Sequence, residues 1–457
     1  MESPASHSAN ALRVHPAERV DGTVALPGSK SLTNRALIIA SLAKGESVLK
    51  NVLDCDDSRH LVNALRELGV SVKWRDEDAV IALRGAGGPY PVRSGKFFCG
   101  NAGTAVRFLT AALAASSGNY VVDGDARMRM RPIGDLTRAL ELLGGAVSAP
   151  TGCPPVEIGS GPLRGGTVAI SGSTSSQFIS AILMAAPLAK EPVRVQVAGD
   201  LVSRPYVDLT LGCMRAFGAR VDEETSFPEE RPVFRVDNRR GYKAREYFVE
   251  GDASAASYFY AAAAVTGSTI RVEGVGKESL QGDARCADVL AAMGCRVKKE
   301  RDAVTVTGPL PGLLRGVDQD CSEIPDVVPT LAVVALFAQG RTRLRRVSHL
   351  RFKESDRIAS VASELRKLGG QVTELRDGLE IRGLRSDVEP DLHGAAIDTW
   401  NDHRLAMAFS VAALVIPGVV IERPAVVAKS FPGYFDVLRG LGVRVEEVGG
   451  AGRTATS

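Results

Sequence analysis

Close-spaced cysteine pairs are missing from this chain of 457 residues. Its seven cysteines, at 55, 99, 153, 213, 286, 295 and 321, form no CxxC, and their odd number and irregular spacing point to free thiols in a reducing compartment. The six histidines, at 7, 15, 60, 349, 393 and 403, include no His-x3-His pair, so no zinc or di-metal site is expected. An excess of one charge is also lacking. With 56 basic and 53 acidic residues the net is +3, too balanced for a nucleic-acid or membrane-surface protein. Apolar runs such as "LAVVALFA" (331–338) and "LAMAFSVAALVIPGVV" (405–420) fall short of an uninterrupted membrane span. The opening "MESPASHSANALRVHPAERV" lacks the charged-then-apolar order of a signal peptide and does not read as a transit peptide. The chain is therefore expected in the cytoplasm, without membrane or nucleic-acid partners.

What is present, in a chain long enough for two or three cores, is a repeat. "ALRELGVSV" (64–72), "ALELLGGAV" (139–147), "CMRAFGARV" (213–221), "VLAAMGCRV" (289–297), "ELRKLGGQV" (364–372) and "VLRGLGVRV" (437–445) each run from an apolar helical end through a glycine into a strand start. The glycines at 69, 144, 218, 294, 369 and 442 are separated by 75, 74, 76, 75 and 73 residues. A period of this length suits a βαβαββ-like unit, and six units give an α/β (α+β) protein with three per domain. The stretch 237–264, which passes from a charged linker to a strand and an apolar helix, suggests a crossover near 246, paired with one near 28. One domain is then 28–246 and the other 1–27 plus 247–445, with 446–457 a disordered tail. A ligand site is expected between the two domains.

Candidate ligands cluster at helix starts. In "LPGSKSLTNRAL", Lys30, Ser31 and Arg35 converge on one helix entry, where an oxyanion site and a capped helix with surface charges are equally open readings. It is not a Walker A loop, because the Gly-Lys pair is missing. "GNAGTAVRFLTAALAA" offers small loop residues to an anion at Gly103, then an apolar helix interrupted by Arg107. In "GDARMRMRPIGDL", Arg127 and Arg129 read as a solvated face, whereas Arg131 sits ahead of a Pro-initiated helix. Ser175, Ser176 and Gln177 precede another apolar helix in a pattern suited to phosphate, and Ser203 begins a further one. The second half adds Asp326 past a proline, and Lys353, Glu354 and Arg357 within one turn, with Lys353 and Arg357 on a shared face. Asp402, His403, Arg404 and Lys429 lie at further helix entries. Each group alone reads as a surface ion pair. Their recurrence at helix starts argues for a multiply anionic ligand, with Asp326 and Glu354 available for proton transfer.

The motifs "LPGSKSLTNRAL", "GNAGTAVRFL", "RPIGDL", "SSQFISAILMAAP", "EGDASAASYF", "IPDVVPTLAV", "FKESDRI", "NDHRLAMAFS" and "AKSFPGYF", in this order from 26 to 435, resemble the EPSP synthase family of enolpyruvyl transferases. The resemblance implies a two-domain inverse α/β barrel-like fold, each domain of three βαβαββ units, with helix N-termini aimed into a cleft. It implies a monomer that needs no metal or organic cofactor. The implied reaction moves the enolpyruvyl group of phosphoenolpyruvate to the 5-hydroxyl of shikimate 3-phosphate and releases phosphate, by addition and elimination through a tetrahedral intermediate, on the route to chorismate and aromatic amino acids.

Carried over by residue, the resemblance puts Ser31 and Arg35 on the shikimate 3-phosphate carboxylate. Ser175, Ser176, Ser203 and Lys353 fall on its phosphate and hydroxyls, and Gln177 lies along its ring. Gly103, Arg131, Gln177 and Lys429 fall on the phosphoenolpyruvate phosphate, Arg357 and Arg404 on its carboxylate, and Lys30 lies between the substrates. Asp326, itself against shikimate 3-phosphate, takes the 5-hydroxyl proton, and Glu354 protonates the methylene. His349 replaces an asparagine common in the family. Phe108 replaces a common proline and is expected to alter sensitivity to the inhibitor glyphosate by tilting its helix and narrowing the pocket. Arg107 is expected to hold the loop rather than the ligand. The sister transferase acting on UDP-N-acetylglucosamine is disfavoured, because the arginine-proline segment lacks its cysteine. An RNA-end-processing relative lacks its basic track. A non-catalytic anion-binding protein would have lost Asp326, Glu354 or the lysines, and none is lost.

Overall fold

Each of the six periodic glycines closes a helix. A computed structural model describes residues 10–226, 231–385 and 390–448. In it Gly69, Gly144, Gly218, Gly294, Gly369 and Gly442 all take φ between +84° and +109°, left-handed backbone that side chains resist. They follow the helices Asp56–Glu67, Gly134–Leu142, Arg204–Ala216, Cys286–Ala292, Arg357–Lys367 and Tyr434–Gly440. In every case the glycine N–H donates to the carbonyl three residues back and the next N–H to the carbonyl five residues back, as Gly69 does to Arg66 and Val70 to Leu65. This double bond pattern satisfies two orphan helix carbonyls and turns the chain into a strand.

Among the described residues the strands form six four-stranded sheets of one plan. In one of them Ser94–Phe98 runs parallel to Asn119–Asp123 across the helix Gly103–Ala114. Asn119–Asp123 then pairs antiparallel with Val156–Ile158, which pairs antiparallel with Val147–Ser148. The other five repeat this arrangement of one parallel and two antiparallel pairings. A small two-stranded sheet joins Leu314–Arg315 to Ala338–Gln339. Strands such as Val193–Ala198 alternate buried valines with half-exposed Arg194 and Gln196, so one face meets the helices. Helices Gly103–Ala114, Ala253–Thr266, Val328–Leu336 and His403–Ala413 are buried along their whole length, as all-round apolar helices must be.

The chain forms two units with separate cores. One comprises Met1–Leu26, Ala253–Glu278 and Asp283–Ser457, and the other Pro27–Asp252 and Ser279–Gly282. The second crossover lies at Asp252 rather than 246, because Glu246–Phe248 pairs in parallel with Val48–Lys50 and completes a sheet of the second unit. Gly22–Ala25 similarly completes the sheet of Thr269–Glu273 in the first unit. The crossovers at Leu26 and Asp252 thus both follow an edge strand. Order also extends past residue 445, since Val445–Glu447 pairs with Leu12–Val14; the expected tail from 449 onward lies outside the described residues. All seven cysteines are free.

The helix-closing glycines predict a graded response. A Cβ at Gly442 meets no atom within 4 Å, so Gly442→Ala carries only the left-handed penalty of about 1 kcal/mol. A Cβ at Gly369 would lie 1.9 Å from the Asp391 carbonyl oxygen, and Gly369→Ala is expected to cost clearly more. Urea unfolding midpoints should fall in the order parent, Gly442→Ala, Gly369→Ala.

Candidate active site

In the second unit the helix Lys30–Leu42 begins behind Ser29, whose hydroxyl accepts from the Leu32 N–H. Lys30 is anchored at both ends: its N–H donates to Asp252 Oδ2 at 3.0 Å and its ammonium lies 3.6 Å from Asp57. One turn on, Arg35 is buried and joins three helices. Its Nε donates to Thr210 Oγ1 (2.8 Å), Nη1 to the Ser31 carbonyl (3.0 Å), and Nη2 to the Tyr206 carbonyl (3.0 Å) and Ser180 Oγ (3.5 Å). The Phe108 ring lies 5.1 Å from its guanidinium carbon and the Tyr206 ring 6.0 Å. Burial lowers its pKa to about 10, which leaves it charged at neutral pH. Among the described residues no carboxylate pairs with it. The partners are neutral oxygens and aromatic faces, which stabilise a desolvated cation without cancelling its charge.

A second cationic group gathers around the start of Gly103–Ala114. Arg131 Nη1 donates to Asn101 Oδ1 (2.9 Å) and to the Asn101 carbonyl (3.2 Å). A Cβ on Gly103 would come within 2.6 Å of Arg131 Nη2 and 3.2 Å of Arg107 Nη1. Arg107 itself donates to the Gly103 carbonyl (3.3 Å) and the Pro132 carbonyl (2.9 Å), tying the helix start to the segment that carries Arg131. Its loop-holding geometry matches the sequence expectation. Ser175 caps Ser176–Ala185 by accepting from the Gln177 N–H at 3.2 Å. Ser203 stands before Arg204–Ala216 with left-handed φ of 56°.

In the first unit the acidic and basic candidates meet. Asp326 lies in the 3-10 turn Pro325–Val327. Its Oδ1 accepts from Arg357 Nη1 (2.9 Å) and its Oδ2 from Arg404 Nη2 (2.6 Å). Arg357 also donates to Glu354 (2.7 Å) and, through Nε and Nη2, to Asp402 (2.8 and 3.2 Å). Asp402 caps His403–Ala413 through the Arg404 N–H. Burial alone would lift the Asp326 carboxyl, but the charges of Arg404, Lys353 and Arg357 outweigh it and hold the group well below the usual carboxylate range. Burial likewise opposes the Arg357 charge, and Asp402, Glu354 and Asp326 reverse that effect and raise its pKa. His349 is pushed down to about 3 by burial, with Lys353 adding to the effect, so its ring is neutral at physiological pH.

One sequence expectation needs correction. Lys353 and Arg357 do not share a helical face: Asp356 caps the helix by accepting from the Ala359 N–H, so the helix starts at Arg357 and Lys353 is extended backbone ahead of it. Phe108 lies within the continuous helix Gly103–Ala114, its ring facing the Arg35 guanidinium. Lys429 ends the 3-10 turn Pro424–Lys429. The sequence shows Asp402 only as a charge at a helix entry and Asn101 only as a small hydrogen-bonding loop residue, and gives no signal for Asp57, Tyr206 or Thr210. An aspartate before "HRLAMAF" signals a cap, but nothing local announces an arginine 45 positions away. Among the described residues no cluster of three or more His, Cys, Asp or Glu side chains could hold a metal ion, and no helix is long and apolar enough to cross a membrane.

The fold built from these sheets is shared with solved enolpyruvyl transferases. The EPSP synthase of Acinetobacter baumannii superposes with a TM-score of 0.78 at 28% identity, covering 95% of this chain and 99% of that one. The enolpyruvyl transferase NikO of Streptomyces tendae matches in fold, with a TM-score of 0.76 at 20% identity over 96% of this chain and 99% of its own. Residues 14–438 match the EPSP synthase (3-phosphoshikimate 1-carboxyvinyltransferase) family. A 3-phosphoshikimate 1-carboxyvinyltransferase of Serratia proteamaculans is 45% identical over 434 residues, 94% of this chain and 98% of its own. One of Thiobacillus denitrificans is 47% identical over 422 residues, 92% and 96% of the two chains. The chain belongs to the EPSP synthase family.

The ion network predicts acid sensitivity. A carboxylate whose folded pKa is depressed contributes stability that is present above its unfolded pKa, here 3.8, and lost as pH falls through the folded value. Asp326→Asn should be less stable than the parent at neutral pH, and the gap should narrow as pH falls from about 4 towards about 2. Thermal denaturation across that range checks both signs.

Proposed function

We propose that the chain transfers the enolpyruvyl group of phosphoenolpyruvate to the 5-hydroxyl of shikimate 3-phosphate and releases phosphate. The observation that carries this reading is Asp326 held between Arg357 and Arg404, with Glu354 on the same arginine. It supplies two guanidiniums for a substrate carboxylate next to two carboxylates for proton transfer. Arg35, a buried cation without a carboxylate among the described residues, suits the shikimate carboxylate together with Ser31. Ser175, Ser176, Ser203, Gln177 and Lys353 suit its phosphate, hydroxyls and ring. Gly103, Arg131, Gln177 and Lys429 suit the phosphate of phosphoenolpyruvate, and Lys30 serves both substrates. His349, neutral at working pH, remains able to donate one hydrogen bond to the sugar-like substrate.

Several fixed cations are needed because two anions must approach to bonding distance against their mutual repulsion. Glu354 delivers a proton to the phosphoenolpyruvate methylene, and positive character develops at the neighbouring carbon. The 5-hydroxyl oxygen attacks that carbon while Asp326 takes its proton. With both guanidiniums on it, Asp326 is a weak base; a substrate carboxylate on Arg357 and Arg404 draws off part of their charge and restores its basicity. Loss of a methyl proton from the tetrahedral adduct then expels phosphate, which the cations around Gly103 stabilise as it leaves. The protein acts as a cytoplasmic monomer on these small molecules, with no nucleic-acid partner.

Phosphate release from phosphoenolpyruvate tests the class: it should require shikimate 3-phosphate, and dependence on UDP-N-acetylglucosamine instead would overturn the reading. Asp326→Ala should still bind shikimate 3-phosphate by calorimetry while turnover falls by about 10²- to 10⁴-fold, the usual worth of a positioned base; full activity would remove the base assignment. Gly103→Ala should displace the Arg131 guanidinium and raise the KM for phosphoenolpyruvate more than that for shikimate 3-phosphate.

A further inference from the structure

Glu364, on the helix that begins with Arg357, is fully buried yet belongs to none of the groups above. Its Oε1 accepts from the Trp400 indole N–H at 2.8 Å. Its Oε2 accepts from the Asp398 N–H at 3.0 Å and from the Lys367 ammonium at 2.7 Å. Trp400 and Asn401 between them hold two consecutive left-handed conformations, φ 51° and 54°. Residues with side chains keep such conformations only where their surroundings impose them, and they gather at functional sites. The next residue is Asp402, which grips Arg357 at two points, accepts from Ser355 at 3.1 Å and anchors the Arg404 N–H at 3.0 Å. Its own N–H donates to the Thr399 carbonyl at 2.8 Å.

We propose that Glu364 is a positioning residue for the Arg357–Arg404 pair, acting through the strained loop Asp398–Asp402. Positions 357 and 364 lie two turns apart on one helix face, so the helix holds both ends of the loop: Glu364 grips Asp398 and Trp400, and Arg357 meets Asp402. With the loop fixed, Asp402 turns Arg357 by its Nε edge and leaves Nη1 and Nη2 to face Asp326 and Glu354. Released, Trp400 and Asn401 relax towards ordinary backbone and Asp402 withdraws. Arg357 is then held only by Asp326 and Glu354, in an orientation less suited to an incoming carboxylate. This rests on the proposal that Arg357 and Arg404 bind the phosphoenolpyruvate carboxylate.

Two substitutions test it. Glu364→Gln keeps volume but has one acceptor oxygen for three donors, and Trp400→Phe removes the indole donor from a partly exposed ring that the core does not need. Each should raise the KM for phosphoenolpyruvate about three- to tenfold, the effect of one lost hydrogen bond, with the KM for shikimate 3-phosphate changed less than about twofold. The double variant should be no worse than Glu364→Gln, because both act through one contact. If Glu364→Gln does not fold, Trp400→Phe decides alone. Unchanged KM for phosphoenolpyruvate, or equal rises for both substrates, would overturn the positioning role. Arg357→Lys separates the two levels: if it leaves the KM for phosphoenolpyruvate unchanged, the carboxylate site itself is misassigned.

Discussion

A buried guanidinium must be answered by its surroundings, because removing a charge from water costs several kcal/mol unless partners replace the solvent. Arg357 is answered by three carboxylates, Asp402, Glu354 and Asp326. Those three come from three separate helix entries, so the demand of one cation draws together the starts of Val328–Leu336, Arg357–Lys367 and His403–Ala413. Arg35 meets the same demand differently, with neutral oxygens and ring faces. The first arrangement balances charge within the protein and the second leaves a net positive charge for something else to balance. On the proposed reading, that contrast marks Arg35 as a receptor for an anion and the Arg357 cluster as the place where carboxylates for proton transfer are held.

The scaffold makes such gatherings possible by repetition. Each βαβαββ unit sets a buried helix after a parallel edge strand, and the entry to that helix is where caps, orphan N–H groups and functional side chains all fall. Ser29, Ser175, Asp356 and Asp402 each accept from a backbone N–H in the first turn of their helix. The same residues that start a helix correctly therefore also prepare a polar site, and selection for folding and for binding acts on one short segment. The other helices, such as Arg357–Lys367, are the ones that the left-handed glycines close.

The repeat was legible because its marker is local. A glycine after a helical apolar pattern has one economical use, and all six glycines were found in that use. Most candidate ligands were legible for the same reason: Lys30, Ser175, Asp326 and Arg404 sit beside prolines, caps or apolar runs that announce a helix start. The crossover at 252 was read six residues early, because a three-residue edge strand, Glu246–Phe248, carries too little pattern to be seen before its partner Val48–Lys50 is known. Lys353 was wrongly given a helical face, because the Asp356 cap that delays the helix competes with an equally plausible start three residues earlier.

Composition, period and motif order thus determined by themselves the class of fold, the family and the chemical types present, since these depend on residues near one another in the chain. Which carboxylate meets which cation was decided only in three dimensions. Asp402 and Glu364 look like ordinary surface charges along the sequence, yet both are fully buried, one on Arg357 and the other on the loop that carries Asp402. Pairing of charges across 31 to 78 positions is set by which helix entries the sheets bring side by side, and no local pattern records that distance.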